Sequence, residues 1–210
     1  MATIVCFGDS NTWGFDPATG GRLDRAVRWP GVLRRELGGE HEVIEEGLNG
    51  RTTCWEDRVH EGRNARDYLP ACLWSHAPVD VVVIMVGTND LKAQFDADAP
   101  LIAAGASGLV DLARRSLAGP GGTPPRVILV APPPLGPVAG RSEIWGFATG
   151  HAKSEELGRL YRTAAEWAGC AFLDAGAVVT ASPIDGVHLE PAAHEKLGVA
   201  VAEVVRGLLA

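Results

Sequence analysis

Apolar positions along the chain fall into short, nearly unbroken runs, separated by longer stretches in which they recur every three or four residues. The runs are Thr3–Phe7, Glu42–Glu45, Val79–Val86, Arg126–Ala131 and Ala171–Leu173, and they are rich in Val and Ile. Strands buried on both faces read this way, because neither face needs polar side chains. The periodic stretches predict helices over Trp29–Leu37, Asn64–His76, Ala99–Leu117, Ser154–Trp167 and Pro191–Leu209. Pro191 suits a first helical turn, where its missing N–H costs nothing. Strand and helix alternate, so the pattern predicts an α/β domain with a parallel sheet between two helical layers. No internal repeat or shift of composition marks a second domain, and residues 1–210 are read as one.

Three connections are longer than such a unit needs: Asp16–Arg28, Cys54–Arg63 and Pro132–His151. Long ordered loops in these folds often build the binding site. The third holds Pro132-Pro133-Pro134 and then Ile144-Trp145-Gly146-Phe147. Its aromatics fit a pocket wall, an oligomer contact or a simple cover over the core.

Composition removes several classes of function. Charged residues make up 21% and hydrophobic ones 46%, a globular balance with no sign of disorder. A net charge of -7 without a basic cluster argues against nucleic acid or an anionic membrane as partner. The longest apolar run, Val79–Val86, is too short to span a bilayer, and Met1–Phe7 reads as a strand and not as a signal peptide. The four cysteines, Cys6, Cys54, Cys72 and Cys170, are scattered and form no C-x-x-C pair. They read as reduced thiols, and the protein is expected to be cytoplasmic.

The chemistry is carried by strand ends. The first strand runs directly into Gly8-Asp9-Ser10. A tight turn there lifts the serine out of the sheet, as a nucleophile requires; a helix cap explains the same three residues. The second strand is followed by Gly47-Leu48-Asn49-Gly50, where a Gly50 N–H turned inward would meet an oxyanion, though an ordinary turn fits as well. The third ends in Gly87-Thr88-Asn89-Asp90. The Asn89 amide is a second oxyanion donor or else a cap. Near the C-terminus, Asp185-Gly186-Val187-His188 sets an acid and an imidazole three residues apart. The carboxylate can then hold Nδ1 and free Nε2 to take a serine proton. His41, His60, His76, His151 and His194 show no comparable partner in the sequence. His194, the nearest competitor, lies inside the last predicted helix.

No metal site is expected, since no second His or Cys cluster completes a coordination shell around Asp185 and His188. A nucleotide-binding α/β protein would carry a glycine-rich loop after the first strand, but Asp9-Ser10-Asn11 stands there. A G-x-S-x-G elbow is missing too, which sets the chain apart from ordinary α/β-hydrolases.

Taken in order, Ser10, Gly50, Asn89 and His188 resemble the four blocks that give the SGNH hydrolases, or GDSL-like esterases, their name. The resemblance runs through essentially the whole chain. The segments Phe7–Phe15, Val43–Gly47, Gly50–Thr53, Val86–Asp90 and Phe172–Gly176 further resemble the arylesterase/acyltransferase subgroup. It implies a flavodoxin-like parallel sheet of five strands and a Ser10–His188–Asp185 triad. It also implies an oxyanion hole made by Ser10, Gly50 and Asn89, and no cofactor. The expected function is hydrolysis of short acyl or aryl esters through an acyl-enzyme, with transfer to alcohols as a second outlet. Thioesterase, lysophospholipase and carbohydrate acetyl esterase activities are the alternatives on the same fold. A small-molecule ester is the expected partner, and a homo-oligomer the expected assembly. A binding module that had lost catalysis should lack Ser10, Asn89 or His188, and all three are present. Trp13 and Phe15, just after the nucleophile, are expected near the acyl or alcohol pocket with Trp145 and Phe147, with core packing an equal alternative for Trp13. Asn11 stands where relatives usually have Leu, and is expected to change the polarity of that pocket. Asp9 is expected to cap its turn, Asp90 and Asp174 to be structural, and Arg51 to pair with Glu45 or Glu46.

Overall fold

The computed structural model describes all residues, Met1–Ala210. Five parallel strands form one sheet: β1 (Thr3–Gly8), β2 (Glu42–Gly47), β3 (Val81–Met85), β4 (Arg126–Ala131) and β5 (Ala171–Asp174), in the order β2-β1-β3-β4-β5. The central β1 pairs with β2 on one side, Val5 opposite Ile44, and with β3 on the other, Val5 opposite Val82.

Strand residues alternate between two cores, as the period of two demands. Val5, Phe7, Val82, Ile84 and Leu129 face one layer; Ile4, Cys6, Val81, Val83, Met85, Ile128 and Val130 face the other. The first layer is built by α3 (Ala65–Ser75), α4 (Ala99–Arg115) and α6 (His151–Ala168), which contribute Leu69, Leu73, Ile102, Leu109, Leu157 and Tyr161. The second comes from α2 (Trp29–Glu36) and α7 (Pro191–Leu209), with Trp29, Leu33, Leu197, Val201 and Val205. This is the three-layer α/β/α arrangement that the pattern predicts, and β1 and β3 are apolar on both faces for that reason.

Differences from the sequence reading are local. Two short helices, α1 (Ser10–Trp13) and α5 (Arg141–Ile144), span a single turn each, too short to show a period. Helix α6 starts at His151, before the predicted Ser154. The hydroxyl of Ser154 donates to His151 O and accepts the Leu135 N–H, so this polar residue sits inside the first turn, fully buried.

The long Asp16–Arg28 connection is fastened to the edge strand by charge. The Glu45 carboxylate is met by Arg28 at 3.0 Å, Arg25 at 3.3 Å, Arg34 at 3.6 Å and Arg22 at 3.7 Å.

The sheet order reverses between β1 and β3, because β1 leads outward to β2 and the chain then returns across to β3. Ligands bind beyond the carboxyl ends of the strands at such a reversal. The residues singled out after β1, β2 and β3 all sit there.

Candidate active site

Ser10 opens α1 directly after β1. The Asp9 carboxylate caps this turn by accepting the Asn11 N–H at 2.9 Å, and Gly14 closes it with a left-handed conformation. As the first helical residue, Ser10 has an N–H without an intrahelical acceptor, free for an anion. Its hydroxyl lies 3.0 Å from His188 Nε2, and His188 Nδ1 lies 2.6 Å from Asp185 Oδ2. The other Asp185 oxygen accepts the N–H groups of Val187 and His188, both at 2.9 Å. Burial pushes the Asp185 carboxyl up, but these hydrogen bonds and the His188 ring outweigh it and hold its pKa below the usual range. The loop is pinned further, with Gly136 N–H donating to Gly186 O at 2.8 Å and Ser182 N–H to His188 O at 2.7 Å.

The turns after β2 and β3 are tied to each other. The Asn89 amide donates one N–H to Arg51 O at 3.0 Å, which leaves its second N–H for the pocket. The Asp90 carboxylate accepts the Thr53 hydroxyl at 2.5 Å and the Thr53 N–H at 3.0 Å. Arg51 donates to Gly8 O at 2.8 Å, and also to the Glu46 backbone carbonyl, with its guanidinium 4.2 Å over the Phe7 ring. The expected pairing of Arg51 with a Glu45 or Glu46 carboxylate is therefore replaced. The Glu45 carboxylate is taken by the arginines of the loop, and that of Glu46 by His76 at 2.7 Å and Tyr68 at 3.2 Å. Cys72 lies beside Glu46 and His76, with the three ligand-type atoms within 4.8 Å of one another. Its thiol is pushed up to about 12 by burial and by Glu46.

Gly87 has φ +121 in the turn between β3 and Asn89, and a Cβ there would run into the Tyr161 hydroxyl. That hydroxyl donates to Val86 O at 2.8 Å and fixes the strand end from below. Gly50, with φ +80, lines the pocket, and the Arg63 side chain lies alongside it. Two acids lie buried beneath the site: burial raises Asp9 to about 6, and Asp90 to about 7 despite the Thr53 hydrogen bonds.

The pocket has a volume of about 190 Å³ and brings together Ser10, Gly50, Asn89 and His188 with Phe15, Trp145 and Phe147. Phe15 packs on the His188 ring at 4.2 Å between centroids, and Trp145 meets it edge-on at 6.0 Å. Two of the expected pocket residues lie behind its wall instead. Asn11 is 1% exposed, and its amide spans the His188 loop, donating to Val187 O at 3.3 Å and accepting the Leu189 N–H at 3.1 Å. Trp13 turns toward β2, where its backbone takes the space a Gly47 side chain would need and Arg22 stacks on its ring at 4.8 Å. One step along a helix rotates the side chain by about 100°, which carries Asn11 away from the Ser10 side.

Asn49, Asp57, His60, Arg63 and Lys92 also line the pocket and escaped the sequence reading. For Asp57, His60 and Arg63 the only signal was the excess length of the Cys54–Arg63 loop; Asn49 and Lys92 follow the ends of β2 and β3. His60, read as having no partner, stands 3.6 Å from Asp57. His194 is completely buried in α7, its Nδ1 accepting the Trp29 N–H at 3.3 Å; burial first, then His188 and Arg28, lowers its pKa to about 4. It is therefore neutral at ordinary pH.

Chemically, this is a hydroxyl hydrogen-bonded to an imidazole whose far nitrogen meets a carboxylate, in a pocket also lined by Gly50 and Asn89. The profile of the GDSL-like lipase/acylhydrolase family matches residues 6–196. An aryl esterase of M. smegmatis is 43% identical to the chain and superposes with a TM-score of 0.94 over 99% of this chain and 100% of its own. A carbohydrate acetylesterase from Sinorhizobium meliloti is 39% identical, with a TM-score of 0.94 over the same shares. A G-D-S-L lipolytic family member from Veillonella parvula, 15% identical with a TM-score of 0.71, shares the fold. No curated protein matches the chain.

Proposed function

The chain belongs to the GDSL-like lipase/acylhydrolase family, and on that footing we propose that it is a serine esterase of short acyl and aryl esters, working through an acyl-enzyme. The observation that carries this reading is the unbroken series Ser10 Oγ–His188 Nε2 at 3.0 Å and His188 Nδ1–Asp185 at 2.6 Å. Ser10 Oγ attacks the ester carbonyl while Nε2 takes its proton, and Asp185 stabilises the imidazolium. The carbonyl electrons move onto oxygen, where the Ser10 and Gly50 N–H groups and the Asn89 amide meet them. Collapse of this intermediate expels the alkoxide, which takes the proton from Nε2. A water molecule, deprotonated by His188, then attacks the acyl-Ser10 carbonyl, and the acid leaves as the Ser10 hydroxyl is restored. Losing a single oxyanion donor typically costs about 10²–10³ in turnover.

A pocket of about 190 Å³ supports acetyl-sized acyl groups over long chains. The aromatic side formed by Phe15, Trp145 and Phe147 supports an alcohol competing with water for the acyl-enzyme. No helix is long and apolar enough to cross a membrane; a cytoplasmic location is part of this proposal, tested by fractionating cells that express the chain. A single domain over residues 1–210 is proposed as well, and one cooperative unfolding transition checks it.

Replacing Ser10 with Ala and assaying p-nitrophenyl acetate tests the central claim. Turnover should vanish into the background, and a variant as active as the parent would sink the esterase reading.

The proposed assembly is a homo-oligomer, supported by exposed apolar side chains at Val59, Ile144 and Trp167. Light scattering should return a multiple of the 22.1 kDa chain mass, and a monomer would contradict it.

A further inference from the structure

Two cations, Arg63 and Lys92, share the pocket with Ser10 and His188. Lys92 follows Asn89 by one helical turn, its N–H donating to Asn89 O at 3.2 Å, and its ammonium lies 5.3 Å from the Phe147 ring centroid. Arg63 is held from the other side. Its carbonyl accepts the Thr52 N–H at 2.9 Å, and its Nε stands 3.4 Å from where a Cβ on Gly50 would be. Neither side chain enters an ion pair or donates a hydrogen bond, although both border the pocket. Their fixed backbones therefore bring two unpaired cations to the rim of the oxyanion donors.

One acid stands against them. Asp57 lines the same pocket, but its Oδ1 already accepts the N–H groups of Val59 at 2.8 Å and His60 at 3.2 Å, with His60 Nδ1 beside its other oxygen. It is 8% exposed and tied to its own loop. Asp57 offsets one of the two cations electrostatically and bonds to neither, so the residues that line the pocket include one cation more than acids, with Asp9 and Asp90 buried beneath them. That excess matches a carboxylate better than a doubly charged phosphate. Burial lowers the pKa of Lys92 by more than the nearby carboxylates of Asp57, Asp9 and Asp90 raise it, so its ammonium has lost water and an incoming anion meets little competition from solvent.

We propose that the enzyme prefers esters that carry a carboxylate, which Arg63 and Lys92 bind while the scissile carbonyl faces Ser10. The proposal rests on the esterase reading and narrows its substrate class. The carboxylate can belong to the acyl or to the alcohol portion, and the two are separable by experiment.

Two pairs of substrates matched in shape decide it, with released acid followed by pH-stat. 4-Acetoxybenzoate and 4-acetoxybenzamide place the charge on the alcohol portion. Monoethyl succinate and ethyl succinamate place it on the acyl portion. In at least one pair, kcat/KM should favour the carboxylate about tenfold or more at low ionic strength, and added salt should reduce the preference. The pair that responds identifies the portion. Arg63→Leu and Lys92→Met should each cut that preference several-fold, and because it is a ratio within one preparation, loss of folded protein does not imitate the effect. Preferences at or below unity in both pairs, or a preference that neither variant moves, would overturn the proposal. If none of the four esters is hydrolysed, the esterase reading itself fails, a result distinct from turnover without preference.

Discussion

The Asn11 side-chain carbonyl accepts the Leu189 N–H at 3.1 Å, so the residue after the nucleophile grips the residue after the base. With the second bond, from Asn11 to Val187 O at 3.3 Å, His188 is bracketed by its two chain neighbours. The Ser10–His188 distance is thereby set by a side chain that touches neither reacting atom.

Asn11→Ala removes both bonds and leaves buried backbone groups without partners, which should cost about 1–3 kcal/mol of stability. If the bracket positions His188, kcat on p-nitrophenyl acetate should also fall ten- to a hundredfold, on the order expected for a misplaced catalytic group, with KM little changed. A lower Tm with kcat intact would reduce Asn11 to a packing role.

Gly87 and Tyr161 form a second linked pair. Gly87→Ala forces a side chain into a φ of +121 and against the Tyr161 hydroxyl, a loss on the order of 3 kcal/mol. Tyr161→Phe frees that space but orphans Val86 O, at about 1–3 kcal/mol. Urea unfolding of the double variant should show a cost smaller than the two single costs combined, by about 1 kcal/mol. Strict additivity would mean that the hydroxyl is not what excludes the methyl group.

His194 makes stability depend on acid. Its pKa falls from 6.5 in the unfolded chain to about 4 in the fold. Neutral imidazole is therefore the folded form, and the contribution is complete above 6.5 and lost as pH falls toward 4. The difference corresponds to roughly 3 kcal/mol across that window. Asp9 and Asp90 act oppositely, since their raised pKa values let the fold gain protons as pH drops. Comparing wild type with His194→Asn cancels their part. The gap in unfolding free energy between the two should shrink from pH 7 to pH 4; a gap independent of pH would refute the assignment.

How much of this was visible in the sequence differs from residue to residue. Ser10, Asn89 and His188 were legible because each follows an apolar strand or fills a terminal loop, and the fold gathers such positions at one crevice. The layers were legible because β3 and the Ile4–Phe7 stretch of β1 are apolar at every position, as a doubly covered sheet requires. Asn11 was misread. Its partners lie 176 and 178 positions away, and no local pattern reports a contact at that distance. Trp13 was left open between pocket wall and core packing for a related reason: closeness to Ser10 along the chain does not settle direction on a helix of one turn. Arg63 and Lys92 look like any surface cations in sequence; the Thr52 N–H bond to Arg63 O, which ties that loop to the turn after β2, has no local signature.

The bond between Ser10 and His188 joins residues 178 positions apart. It cannot form in a collapsed chain whose ends have not met, however complete its helices are. Ester turnover regained during refolding is therefore a clock for the last closure of the chain, and it should start later than any signal from helix content.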